Sequence, residues 1–229
     1  MLLTTDHEIS YVTDGFALSF LLKQPLIKSG NPKAIILLHG VGSNEKDLFD
    51  LANELPDDLI IISPRGPYTM GNGSYAWYQV DFSTGKAIVN QTQEAYSRKI
   101  LTQFIEQIKA AYNIDEIYLG GFSQGAIMSY SIGLTQPSLV QGLVVLSGRI
   151  LEEIKPSIHE SKELTCLGVF IAHGIQDATL PVHYSREAKR YLQELSVSLS
   201  YQEYTMGHQV NGEVLKDINE WLKEATKGN

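Results

Sequence analysis

Three residues, met in order along the chain, could together break an acyl bond: Ser123, Asp177 and His208. A serine hydroxyl is a weak nucleophile at neutral pH. It needs an imidazole to take its proton and a carboxylate to orient and charge-balance that imidazole. Ser123 lies in Gly121-Phe122-Ser123-Gln124-Gly125. Before it, Glu116 to Leu119 reads as a short buried strand, and after it Ala126 to Ile132 reads as a helix. G-x-S-x-G at a strand-to-helix junction is a nucleophile elbow, a tight turn that pushes the serine out over the sheet edge. The backbone passes so close to itself that a side chain at Gly121 or Gly125 would clash. The helix aims its first N–H groups and positive dipole end at the serine oxygen, which favours a developing anion. A plain glycine-rich turn with Ser123 as a helix cap would share the local pattern, so the partners must decide.

Four histidines follow Ser123. His159 has no strand before it, His173 ends a strand but precedes any acid, and His183 starts a helix. His208, in Met206-Gly207-His208, follows a strand and precedes the last helix, the position a general base needs in the order Ser, acid, His. Asp177 lies in the loop His173 to Pro181, which follows directly on the apolar run Leu167 to Ala172, and is the sole carboxylate of that loop. Alone it reads equally well as an Asx-turn or capping residue; with His208 one strand later, the catalytic reading prevails. An oxyanion needs two backbone donors about 3 Å from the developing charge. The residue after the nucleophile, Gln124, offers one. The loop His39-Gly40-Val41-Gly42 offers the second at Val41, and His39 reads as a structural histidine rather than a second base. The stretch from Tyr68 to Asn90 lacks clear periodicity and is rich in aromatics, including Phe82. Around Trp77 and Tyr78 it is expected to line an acyl or alcohol pocket, against the plainer alternative of surface packing.

The elements that must position these residues alternate. Ile9 to Lys23 reads as an antiparallel hairpin turning at Asp14-Gly15, and Lys28 to Pro32 as a loop. Ala34–Leu38, Leu59–Ile62, Gly142–Leu146 and Leu167–Ala172 are continuous apolar runs, the mark of strands covered on both faces. Leu199–Tyr204 reads as a further strand. Helices are expected over Glu45–Leu55 (capped by Ser43 or Asn44), Gln93–Tyr112, Tyr184–Leu195 and Gly212–Ala225, with a short one between Arg149 and Glu163. The alternation predicts an α/β fold, with a mostly parallel central sheet and helices on both faces, in one domain over residues 1–229. In such sheets reacting groups gather at the carboxyl ends of the strands.

Composition narrows the partners. The net charge is −8, and no basic stripe exists to neutralise phosphates, so a nucleic-acid partner is not expected. No apolar run approaches a membrane span, and the first residues lack a basic region followed by an apolar stretch, so no integral membrane association is expected. One cysteine, Cys166, allows no internal disulfide and suits a reducing, cytoplasmic compartment; it reads as a buried structural thiol.

Several stretches together resemble the phospholipase/carboxylesterase family of α/β-hydrolases. They are Leu38-His39-Gly40-Val41-Gly42, Pro64-Arg65-Gly66-Pro67, Tyr75-Ala76-Trp77-Tyr78, Gly121-Phe122-Ser123-Gln124-Gly125, His173-Gly174 with Asp177 and Pro181, and Gly207-His208. Ala126 stands where such proteins often carry a second glycine. The Pro-Arg-Gly-Pro and Ala-Trp-Tyr stretches look more like the bacterial carboxylesterase branch than the acyl-protein thioesterases. The resemblance implies an α/β-hydrolase fold and a serine hydrolase of small carboxylic esters, with no cofactor, no metal and, as in several members, a homodimer. It carries over Ser123, Asp177 and His208 as a triad, and Val41 and Gln124 as oxyanion donors. Thioesterase or lysophospholipase activity is the nearest alternative. A non-catalytic binding protein on the same scaffold is the alternative of another class.

Overall fold

The computed structural model describes residues 9–27, 30–81, 83 and 87–227. Its centre is an eight-stranded sheet in the order β1-β2-β4-β3-β9-β10-β11-β12. These strands are β1 (Ile9–Val12), β2 (Phe20–Lys23), β3 (Lys33–Leu38), β4 (Leu59–Pro64), β9 (Glu116–Phe122), β10 (Gly142–Leu146), β11 (Gly168–Gly174) and β12 (Ser198–Tyr204). From β4 through β12 every pair is parallel, whereas β1 and β2 run antiparallel at one edge.

The apolar runs become strands because two cores compete for alternate residues. In β3, Ala34, Ile36 and Leu38 enter one core while Ile35 and Leu37 enter the other. Strand β4 divides the same way, Ile60 and Ile62 against Leu59 and Ile61. A side-chain period of two with both faces covered demands apolar residues at every position. The first core is closed by α1 (Gln91–Tyr112), α2 (Gln124–Thr135) and α4 (His183–Glu194); the second by α5 (Gly212–Thr226) and the turn around Leu48. Helix α1 starts where the Asn90 side chain accepts the Gln93 N–H and stops at Asn113 in the left-handed conformation. Among the described residues no helix is long and apolar enough to cross a membrane.

Three expectations need correction and one, the short helix between Arg149 and Glu163, needs only refining. The helix over Glu45–Leu55 is a 3-10 turn, Leu48–Asn53, with no side-chain cap. Asn44 instead closes a local turn by accepting the Lys46 N–H, and Pro56 follows at once, so no longer helix forms. The region from Arg149 to Glu163 holds two short pieces, a 3-10 turn at Glu152–Ser157 and α3 (Lys162–Cys166). The aromatic stretch is two hairpins, β5 (Tyr68–Gly71) with β6 (Ser74–Ala76) and β7 (Val80–Asp81) with β8 (Ile88–Val89); Phe82 lies outside the described residues. Cys166 is exposed. Leu164 and Leu167 take the inward positions of that turn, which leaves Thr165 and Cys166 facing out.

Candidate active site

Strand β9 ends at Phe122 and α2 begins at Gln124, so Ser123 alone makes the turn between them. It does so at φ 54°, a left-handed conformation that costs a non-glycine residue energy and survives only where packing over-determines it. Two glycines supply that packing. A Cβ on Gly121 would lie 2.4 Å from the Gly125 carbonyl carbon, and one on Gly125 would lie 1.9 Å from the Leu38 oxygen. The serine makes no capping bond to the helix, so its hydroxyl is free for another partner.

That partner is His208. Its Nε2 accepts the Ser123 hydroxyl at 2.9 Å, and its Nδ1–H donates to Asp177 Oδ2 at 2.6 Å. Asp177 is buried, and its other oxygen accepts the Thr179 and Leu180 N–H groups at 2.9 and 2.8 Å. The carboxylate is thus fixed by its own loop before it meets the imidazole. The Phe122 ring stands 4.7 Å from the His208 ring, centre to centre. All three residues follow parallel strands at their carboxyl ends, on β9, β11 and β12.

Two further histidines, His173 and His39, are engaged elsewhere. His173 is buried, and its Nε2–H donates to the Leu180 carbonyl at 2.7 Å. Burial is the leading cause of its lowered pKa, and it braces the Asp177 loop from behind. His39 is also fully buried, with its pKa lowered by burial, and it lies between the oxyanion-loop candidate and Gly66.

The loop after β3 brings Gly40 against the elbow: a Cβ there would meet the Phe122 ring at 3.4 Å and Ser123 Cβ at 3.6 Å. Gly42 turns the chain at φ 80° and donates its N–H to Tyr75, while Ser43 accepts from the Tyr75 N–H. Among the described residues the Val41 N–H meets no backbone acceptor. The Gln124 N–H, first in α2, has none within the helix.

Trp77 differs from expectation, whereas Tyr78 does line a groove. Trp77 is fully buried, and its indole N–H is spent on the His39 carbonyl at 2.9 Å, so it lines no pocket. Tyr78, 1% exposed, is one of the residues lining a groove. The groove holds about 680 Å³; Val41, Met70, Val80, Ile88 and Val89 form its apolar walls. Sequence reasoning also missed the side chain of Gln124. Its Oε1 accepts the Trp77 N–H and its Nε2–H donates to the Tyr78 carbonyl, at 2.8 and 2.7 Å. A motif that already explains a residue by its backbone hides a second role for its side chain.

A central sheet with this strand order, covered by helices and carrying a serine elbow at its carboxyl edge, defines an α/β-hydrolase. The model of the phospholipase/carboxylesterase family matches residues 27–226, and the chain belongs to that family. Acyl-protein thioesterase 1 of Kluyveromyces lactis is 30% identical over 210 residues, covering 84% of this chain and 92% of that protein. Carboxylesterase SOBER1 of Arabidopsis thaliana is 25% identical over 207 residues, with 85% and 91% covered. The solved carboxylesterase of Bacillus cereus superposes with a TM-score of 0.77 at 23% identity, over 91% of this chain and 94% of its own. That last likeness carries the fold alone. By family the chain is a hydrolase of the carboxylesterase and acyl-protein thioesterase type.

Proposed function

We propose that this protein is a serine hydrolase that cleaves carboxylic esters of short to medium acyl chain through an acyl-enzyme. The observation that carries the reading is the continuous hydrogen-bonded path from the Ser123 hydroxyl through His208 to Asp177. Ser123 Oγ attacks the ester carbonyl as His208 Nε2 takes its proton. Asp177 holds the ring in the tautomer that leaves Nε2 free and stabilises the imidazolium that forms. The Val41 and Gln124 N–H groups hold the oxyanion. His208 then returns the proton to the leaving alcohol. Water, activated by the same imidazole, releases the acid and frees Ser123.

Substitution Ser123→Ala should abolish hydrolysis of p-nitrophenyl butyrate, and a fluorophosphonate probe should label the wild type at Ser123 alone. Unchanged turnover in the variant would end this reading. A pure, folded wild type that never labels would favour a non-catalytic binding protein.

A second reading keeps the same machinery with a thioester substrate. Its support is the 30% identity to a protein named as an acyl-protein thioesterase, together with the apolar groove that starts at Val41. A chain-length series of p-nitrophenyl esters beside one acyl-CoA separates the two. Preference for the acyl-CoA over every ester would move the assignment to the thioesterase.

A further inference from the structure

An oxyanion donor works only if its N–H is aimed before the charge develops. In a trans peptide the carbonyl and the N–H of one plane point in opposite directions, and the described residues contain no cis bond. Whatever grips the Gly40 carbonyl therefore aims the Val41 N–H. Two donors grip it: the Ser43 N–H at 3.2 Å and, closer, the buried ring of His39, whose Nδ1 lies 2.7 Å from Gly40 O. Its other nitrogen, Nε2, lies 2.9 Å from the Gly66 nitrogen. A carbonyl can only accept and a backbone N–H can only donate. The ring is therefore neutral, with its one proton on Nδ1, donating to Gly40 and accepting from Gly66.

The ring's own backbone is tied down from the far side. Trp77 Nε1–H donates to the His39 carbonyl at 2.9 Å, and the two rings lie 5.2 Å apart. The backbone of Trp77 and Tyr78 is held in turn by both ends of the Gln124 amide, and the Ser97 hydroxyl donates to the Trp77 carbonyl. Gln124 carries the other proposed donor on its own main chain. One buried chain of hydrogen bonds thus runs from the first donor to the second: Gly40–Val41 peptide, His39, Trp77, Gln124. Gly66 fits this arrangement tightly, since a Cβ there would lie 2.7 Å from the Ala76 oxygen and 3.3 Å from His39 Nε2.

We propose that His39 is a positioning residue for the oxyanion hole: its neutral imidazole clamps the Gly40 carbonyl so that the Val41 N–H stays turned to Ser123, and Trp77 and Gln124 lock that clamp to the second donor. The inference rests on the serine-hydrolase reading above.

The test compares two isosteric halves of the imidazole in the full-length protein. His39→Asn keeps an N–H at the place of Nδ1. His39→Gln keeps an acceptor near the place of Nε2 and loses the ring's grip on Gly40, leaving the longer Ser43 bond alone. With p-nitrophenyl butyrate, His39→Gln should lower kcat by about ten- to a hundredfold, below the full loss of a donor, with KM nearly unchanged. His39→Asn should restore most of kcat. Inhibition by an aliphatic trifluoromethyl ketone, which forms a tetrahedral oxyanion on serine, should weaken in His39→Gln in parallel with kcat. If neither variant folds, as judged by circular dichroism, Trp77→Phe decides: it keeps an aromatic ring in that position, removes the donor to the His39 carbonyl and should lower kcat about three- to tenfold. Four results overturn the proposal: full kcat in His39→Gln, a deficit confined to KM, no rescue by His39→Asn, or full kcat in Trp77→Phe. A wild type without turnover removes the hydrolase reading and this inference with it; an active wild type with indifferent variants removes this inference alone.

Discussion

Asp177 is spoken for on both oxygens, and that decides what its amide would do. Two backbone N–H groups, of Thr179 and Leu180, require an acceptor at Oδ1. In Asp177→Asn the amide oxygen must take that place, so the NH2 turns to His208 Nδ1. The imidazole then has to accept at Nδ1 and carry its proton on Nε2, where it can no longer receive the Ser123 proton. We expect kcat to fall about ten-thousandfold, with a thermal midpoint close to the wild type. Steady-state kinetics beside a melting curve check it, and a mild loss would put the base somewhere else. Ser123, Asp177 and His208 could be picked out from sequence because three chemically distinct residues, each after an apolar run, have few alternatives. Trp77 could not be placed that way. An aromatic residue in an aperiodic stretch looks the same whether it lines a pocket or, as here, holds a neighbouring carbonyl.

Elements carry the site because strand ends are pinned to one another. Gly125, in the first turn of α2, touches the end of β3: a Cβ would sit 1.9 Å from the Leu38 oxygen and 2.7 Å from the His39 oxygen. Gly125→Ala should push the loop after β3 off the elbow, remove activity and destabilise the protein by about 3 kcal/mol or more. A urea denaturation midpoint equal to the wild type would contradict this. A different contact fixes α4 on the edge strand β12. Arg186 grips Glu203 with two hydrogen bonds of 2.8 and 2.7 Å, and Tyr201 donates to the same carboxylate at 2.6 Å. The guanidinium first, with the phenol after it, holds Glu203 down from 4.5 to about 2. A carboxylate depressed in this way stabilises the folded state fully above about 4.5, and the contribution fades as pH falls from there through about 2. The contact is partly open to water, which moderates it. Urea midpoints measured from pH 5.5 down to 2.5 should therefore fall more steeply in the wild type than in Arg186→Gln. Equal slopes would show that the pair does not matter. Strands whose every residue is apolar were easy to foresee, since two cores leave no room for a polar position. The turn at Leu48 was not, because the spacing of Leu48, Leu51 and Leu55 serves a short 3-10 segment as well as an α-helix.

Charge belongs to the molecule rather than to any one element. A net charge of −8 repels an anionic substrate on approach and leaves a neutral one indifferent. If acyl-CoA is turned over at all, its kcat/KM should rise about two- to fivefold as salt is raised from low to physiological strength. The value for a neutral p-nitrophenyl ester should stay flat, and an equal response from both would rule out steering.

The exposed sulfur of Cys166 lies at the amino end of β11, whereas the loop holding Asp177 leaves from the opposite end of that strand. Seven extended residues, about 23 Å, separate the two. Because the chain has a single thiol, a maleimide anchor would attach every molecule in one orientation. An immobilised film made this way would hold the Asp177 edge of each sheet, and with it the proposed site, outward, facing the flowing medium.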